Sequence, residues 1–198
     1  MALLAPDPPY QAAEAVQSTF RAFAEHRSFR SPALRKATGP LQLVEPHQVF
    51  TLGLADLVAG RGLEAAKPTG WLYLVQEGDK VLASAEAVRT GMGDDHVFSA
   101  FNEGRFVAST ADAIRTARGL PEVRQDGFEL RLLRVPGVYV TALWLHKPEG
   151  TGDLLVPLAP SPMDAPAGHP VPAARLLQEL ASKARPVAPV GPADRTGG

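Results

Sequence analysis

The first strong pattern along the chain is helical. Tyr10, Ala13, Val16, Phe20 and Phe23 recur at spacings of three and four, which gathers them on one face of a helix over residues 9–25. Asp7 is placed to cap its start, and Pro8 and Pro9 suit its first turn. A polar stretch with Arg27, Arg30, Arg35 and Lys36 follows and reads as a surface loop. Residues 41–44 and 49–52 have the composition of two short strands, with a short helix over 53–59 and a turn at 67–70. Residues 71–75, Trp-Leu-Tyr-Leu-Val, are rich in the aromatic and branched side chains that fit a packed pleated surface. After the tight link Glu77-Gly78-Asp79, residues 80–88 return as a second strand, with Val81, Ala83, Ala85 and Ala87 on one face. Small residues there imply that a helix or another backbone packs close.

The pattern then reads loop, strand, helix. A strand is expected over 97–101, a hairpin turn at 102–105, a short returning strand over 106–108, and a helix from Ser109 or Thr110 to Arg118, stopped by Gly119. Phe128, Leu130 and Leu132 alternate with Glu129 and Arg131, but the phase changes at Leu133, leaving Arg134 on the apolar face. A bulge or an exit from the core is the expected cause. Residues 138–146 form a long strand that is apolar on both faces, which predicts cover on both or a face used for association. Residues 154–158 pair back as an edge, limited by Pro157.

Together these elements predict an α+β fold, a predominantly antiparallel sheet with N-terminal, central and C-terminal helices packed on it. The connections are too short for repeated helical crossovers, and a meander with its helices on one face is the simplest arrangement. The chain divides into a compact domain over 1–158, a proline-rich arm and docking helix over 159–185, and a disordered tail over 186–198. In the docking helix Leu176, Leu177 and Leu180 supply the apolar contacts.

Composition narrows the functional classes. The net charge of −1 gives no broad attraction for nucleic acid or anionic membrane, and no apolar run reaches the roughly 20 residues of a spanning helix. There is no cysteine, which removes disulfides, thiol nucleophiles and thiolate metal sites. The opening residues have neither a basic segment nor a continuous apolar one, so a cytoplasmic location is expected. No GxSxG elbow, phosphate-binding glycine loop or HExxH helix is present, and the five histidines have no standard zinc spacing. No cofactor and no metal are expected.

Two functional expectations follow. The first is a noncatalytic interaction or assembly protein that meets a protein partner or a second copy of itself. Its contacts would come from Tyr139 and Trp144 on a sheet face and from Leu176, Leu177 and Leu180 on the appended helix. The alternative is a small-molecule-binding protein or small hydrolase-like enzyme with a polar cleft near residues 94–105. Asp94, Asp95, His96, Arg105 and His146 supply the acid, base and anion-holding chemistry such a cleft needs. A nucleic-acid regulator, suggested only by the basic loop, is disfavoured by the near-neutral charge.

Overall fold

A computed structural model describes residues 3–91, 93–149 and 151–186. Pro186 excepted, the expected tail lies outside the described residues.

The fold is α+β. A single eight-stranded sheet has the order β4-β3-β2-β1-β5-β6-β7-β8. The strands are β1 (Leu41–Thr51), β2 (Lys67–Glu77), β3 (Lys80–Arg89), β4 (His96–Asn102), β5 (Glu129–Val135), β6 (Val140–His146), β7 (Leu154–Pro157) and β8 (Val171–Pro172). Every neighbouring pair is antiparallel except β1 and β5, which run parallel with Val49 opposite Leu132 and Phe50 opposite Leu133. The helices are α1 (Tyr10–Glu25), α2 (Pro32–Lys36), α3 (Leu54–Val58), α4 (Arg105–Gly119), α5 (Pro121–Asp126) and α6 (Ala173–Ala184). Among the described residues, no helix is long and apolar enough to cross a membrane.

Helices cover both faces of the sheet, not one. On the first face α1 and α2 bury Trp71, Tyr73, Val75 and the alanines 83, 85 and 87 of β3. The same face continues over β5–β7, where α3 and α6 bury Phe50, Leu133, Trp144 and Leu155. On the second face α4 and α5 bury Leu72, Leu74, Leu130, Leu132, Leu143 and Leu145. This double cover explains why β6 is apolar on both sides. It also explains the phase change in β5, which needs no bulge. The strand pairs with β6 without a register shift from Glu129 to Val135. Leu133 is apolar because its own face is covered as well.

Other expectations change for local reasons. The two short strands at 41–44 and 49–52 are one strand, bent by a bulge between Val44 and His47 where Glu45 takes φ 53°. The turn expected at 67–70 belongs to β2. A bulge opposite Val75 and Gln76 puts Val81 against the α4 core, while Ala83 lies under α1. Residues 106–108 are helical rather than extended. Gly104, at φ 108°, makes the sharp turn out of β4, and Val107, Thr110, Ile114 and Ala117 then form a buried stripe at helical spacing. Ser109 is therefore mid-helix, not a cap, and its hydroxyl accepts the Ala159 N–H at 2.8 Å. The long strand begins at Val140, because Pro136–Val138 forms one 3₁₀ turn and Tyr139 is left-handed at φ 55°.

The helix α6 is part of the main core, with Leu176 and Leu180 fully buried. Leu180→Ala should lower stability by about 2–5 kcal/mol, as expected for a large-to-small change in a filled core. Urea denaturation followed by far-UV circular dichroism would measure it. A loss of only a few tenths of a kcal/mol would show that α6 contributes little to the fold.

Candidate functional site

The residues singled out from sequence fall into separate places. Asp94, Asp95 and His96 form the turn into β4, at one end of the sheet. Arg89 ties that turn together, donating to the Gly93 carbonyl at 2.6 Å and to Asp94 at 3.2 Å, and the His96 ring bonds the Asp94 carbonyl at 2.7 Å. Arg105 is exposed at the start of α4. His146 stands on β6, five strand positions from β4 and so roughly 24 Å across the sheet. The structure does not bring it to His96. Trp144, Leu176 and Leu180 are buried within the chain, and Leu177 is partly buried beside them. Tyr139 is the exception, 85% exposed.

His146 and Trp144 do meet, through Asp153. The Asp153 carboxylate accepts from the Trp144 indole at 2.6 Å, from the His146 Nδ1–H at 3.1 Å and from the Lys147 backbone N–H at 2.9 Å. Burial pushes its pKa up, but these hydrogen bonds outweigh burial and hold it below the ordinary carboxylate value. Beside them the Arg131 guanidinium lies about 5 Å from the centres of the Phe50 and Trp144 rings and donates to Glu129 at 2.7 Å. Asp153 is bonded to all three of its neighbours and Arg131 is paired with Glu129, which suits a structural clasp.

The second face holds a different arrangement. Glu86 on β3 and Arg134 on β5 are separated by β2 and β1, yet their side chains reach across both strands to form a two-pronged ion pair. Its N···O distances are 2.6 and 3.0 Å, with Glu86 buried and Arg134 half-buried. His47, on the intervening β1, is wholly buried nearby. Its Nδ1 lies 2.7 Å from the Glu45 carbonyl. A carbonyl only accepts, so Nδ1 carries the proton and Nε2 presents a bare lone pair, which has no partner among the described residues. Burial is the main cause that lowers the His47 pKa to about 4, with the Arg134 charge adding to it.

Two cavities meet at this ion pair. An inner chamber of about 340 Å³ lies between the sheet and the first turns of α4. Its walls include Leu72, Leu74, Ser84, Glu86, Asn102, Val107 and Thr110. An outer cleft of about 690 Å³ is lined by Tyr139, Val140, Pro136 and the segment Pro160-Ser161-Pro162. Phe106, Arg134 and Thr141 line both. The walls are pinned from outside. Glu103 accepts from the Ser31 hydroxyl at 2.6 Å and the Ala33 N–H at 3.1 Å, tying the β4–α4 turn to α2. The Ser109–Ala159 bond ties α4 to the proline segment.

Sequence reasoning reached this site only at its edges, through Tyr139 and the neighbourhood of Arg105. Two signals pointed to its centre. Arg134 interrupts an apolar face, and Glu86 stands among alanines in a strand that has no other acid between Val81 and Val88.

The ion pair predicts a clear thermodynamic signature. Arg134→Met alone should destabilise the fold by roughly 2–4 kcal/mol, because it leaves the Glu86 charge buried and unpaired. The double variant Glu86→Leu/Arg134→Met should recover much of that loss. Additive losses in denaturant titrations would contradict the pairing. His47 predicts a pH dependence. Its folded pKa lies below the ordinary 6.5, so the unfolded chain binds the proton more readily between the two values. Stability is therefore greatest above pH 6.5 and falls as pH drops from 6.5 towards 4, by up to about 1.4 kcal/mol per pH unit. His47→Gln should flatten that part of the profile, and an unchanged slope would exclude His47 as its source.

Comparison with protein-family models, with curated proteins and with solved structures found no match.

Proposed function

We propose that the chain is a small-molecule-binding protein whose site is the joined cavity between α4, β5–β6 and the Pro160–Pro162 segment. The observation that carries this reading is the junction itself. Two cavities share Phe106, Arg134 and Thr141, so one ligand can lie across both with a polar group at the ion pair. Binding sites for small organic molecules combine apolar walls with a few placed polar groups, and their volumes are roughly 300–1,000 Å³. The outer cleft supplies the apolar wall through Tyr139, Phe106 and three prolines. The inner chamber supplies the polar groups. Exposure of Tyr139 favours the same reading, since a tyrosine held in a left-handed backbone and facing solvent contributes nothing to the core.

An interaction or assembly role is the second reading. It is supported by the outer edge of β4, which among the described residues pairs only with β3 and carries the exposed Val97. On this reading a second copy or a protein partner adds a strand there.

A ligand screen by saturation-transfer NMR, repeated on a blocked variant, tests the first reading. Ser84→Leu places a larger side chain in the inner chamber, and Thr141→Val removes a lining hydroxyl with little change of shape. Compounds that bind the parent protein should lose about tenfold or more in affinity to Ser84→Leu while circular dichroism stays unchanged. Hits indifferent to both variants, or no hits at all, would count against the cavity as a ligand site.

A further inference from the structure

We infer that the outer edge of β4 is a self-association site, where a second copy of this chain adds its own β4 antiparallel, with Phe98 against the partner's Phe101 and Asp94 beside the partner's Arg105. The inference rests on the assembly reading, is independent of the cavity, and adds the identity of the partner and the register of the contact.

The two ends of the sheet differ. At one end β8 is two residues long, and Val171 stands between Pro170 and Pro172, which have no N–H to give a further strand. At the other end β4 runs for seven residues, with no proline, lysine or carboxylate among them. Among the described residues, nothing bonds the outward N–H and C=O groups of residues 97–102. Val97, Ser99 and Asn102 are exposed. Phe98 and Phe101 are only partly buried, at the rim of an aromatic cluster with Phe20, Phe23 and Phe29. Brevity, proline and charge are the usual means of blunting an edge, and β8 uses the first two. In β4 the extra residue Ser99 is the one irregularity.

Charge and face select the occupant. Asp94 and Asp95 precede β4, and Asp94 is 78% exposed beside Arg89. Beyond the other end stands Arg105, exposed and without a partner among the described residues. An antiparallel second copy lays the acidic start of one strand beside the basic end of the other, and does so twice. Residues opposite each other in such a pair must share a face of the continued sheet. Ser99 decides which ones can, because Ala87 pairs with Phe98 but Glu86 pairs with Ala100. Phe98 and Phe101 consequently share the α1 face, and Val97 and Asn102 share the other. With the two-fold axis between Ser99 and Ala100, Phe98 meets the partner's Phe101, Val97 meets the partner's Asn102 and His96 meets the partner's Glu103. Asp94 then falls beside the partner's Arg105. Moving the axis onto Ser99 or Ala100 sets Val97 against Phe101 or Phe98 against Asn102, on opposite faces. Moving it between Phe98 and Ser99 sets Asp94 against Glu103, with like charges opposed. The chain's own C-terminal stretch is a poorer occupant, since Pro186, Pro189 and Pro192 would leave gaps in any ladder.

The test is sedimentation velocity of the full chain from micromolar to near-millimolar concentration. The mass of the parent protein should rise from 21.0 kDa towards twice that value. Asp94→Arg and Arg105→Asp each oppose like charges at both ends of the pair, and each should weaken association about tenfold with circular dichroism unchanged. An equimolar mixture of these two variants should associate as the parent does, because every end then faces its opposite. Hydrogen exchange of the parent should slow at residues 97–102 as concentration rises. A parent that stays monomeric overturns the inference and leaves the assembly reading only a different protein as partner. A dimer that Asp94→Arg, Arg105→Asp and Val97→Lys all leave intact, or that forms with no slowing at residues 97–102, makes its contact elsewhere. The β4 pairing is then wrong while the assembly reading stands.

Discussion

The parallel pairing of β1 with β5 organises the molecule. Strands β1 to β4 form an antiparallel meander that ends at one edge of the sheet. The next strand, β5, lies beside β1, so the chain must travel back over β3, β2 and β1 before it can pair. β5 lies four positions from β4, roughly 19 Å across the sheet, too far for a tight hairpin. Helices α4 and α5 make that journey across one face, leaving α1, α2, α3 and α6 to cover the other. The sheet consequently carries apolar side chains on both faces.

The cavity is a consequence of the crossover. α4 starts above β3 and β4 and must leave β4 abruptly, which Gly104 permits. Its first turn therefore stands over the sheet where the strands carry Ser84, Glu86 and Arg134 instead of leucine. Packing is complete further along, where Ile114 and Ala117 meet the leucines of β2 and β5–β6. At the start of the helix it is incomplete, and the polar residues there hold a charge pair across two strands. An ion pair of this kind adds little stability compared with apolar packing.

The opposite face shows the contrasting use of polar groups. Asp153 satisfies Trp144, His146 and a backbone N–H at once, and Arg131 lies against two aromatic rings while paired with Glu129. These groups complete one another and close the end of β6. Around Arg134 the ion pair opens onto two cavities instead. That access, rather than the number of ionisable residues, separates a structural cluster from a candidate site.

Much of this was legible in the sequence. Helical spacing located α1 and α6, alternation and aromatic content located β2, β5 and β6, and the alanines of β3 announced a close-packed helix, because these features depend on neighbours within a few residues. The mixed α+β class followed from them. Tertiary structure alone decided which residues meet. Val107 to Ala117 carried a helical stripe, but the start of α4 depended on a glycine with positive φ that read equally well as a hairpin turn. Arg134 looked like a defect in an amphipathic strand, because its partner lies 48 residues earlier and three strands away. Local periodicity reports which face a side chain occupies. Strand order decides what stands on that face beside it, and here the order turned an apparent irregularity into the centre of the site.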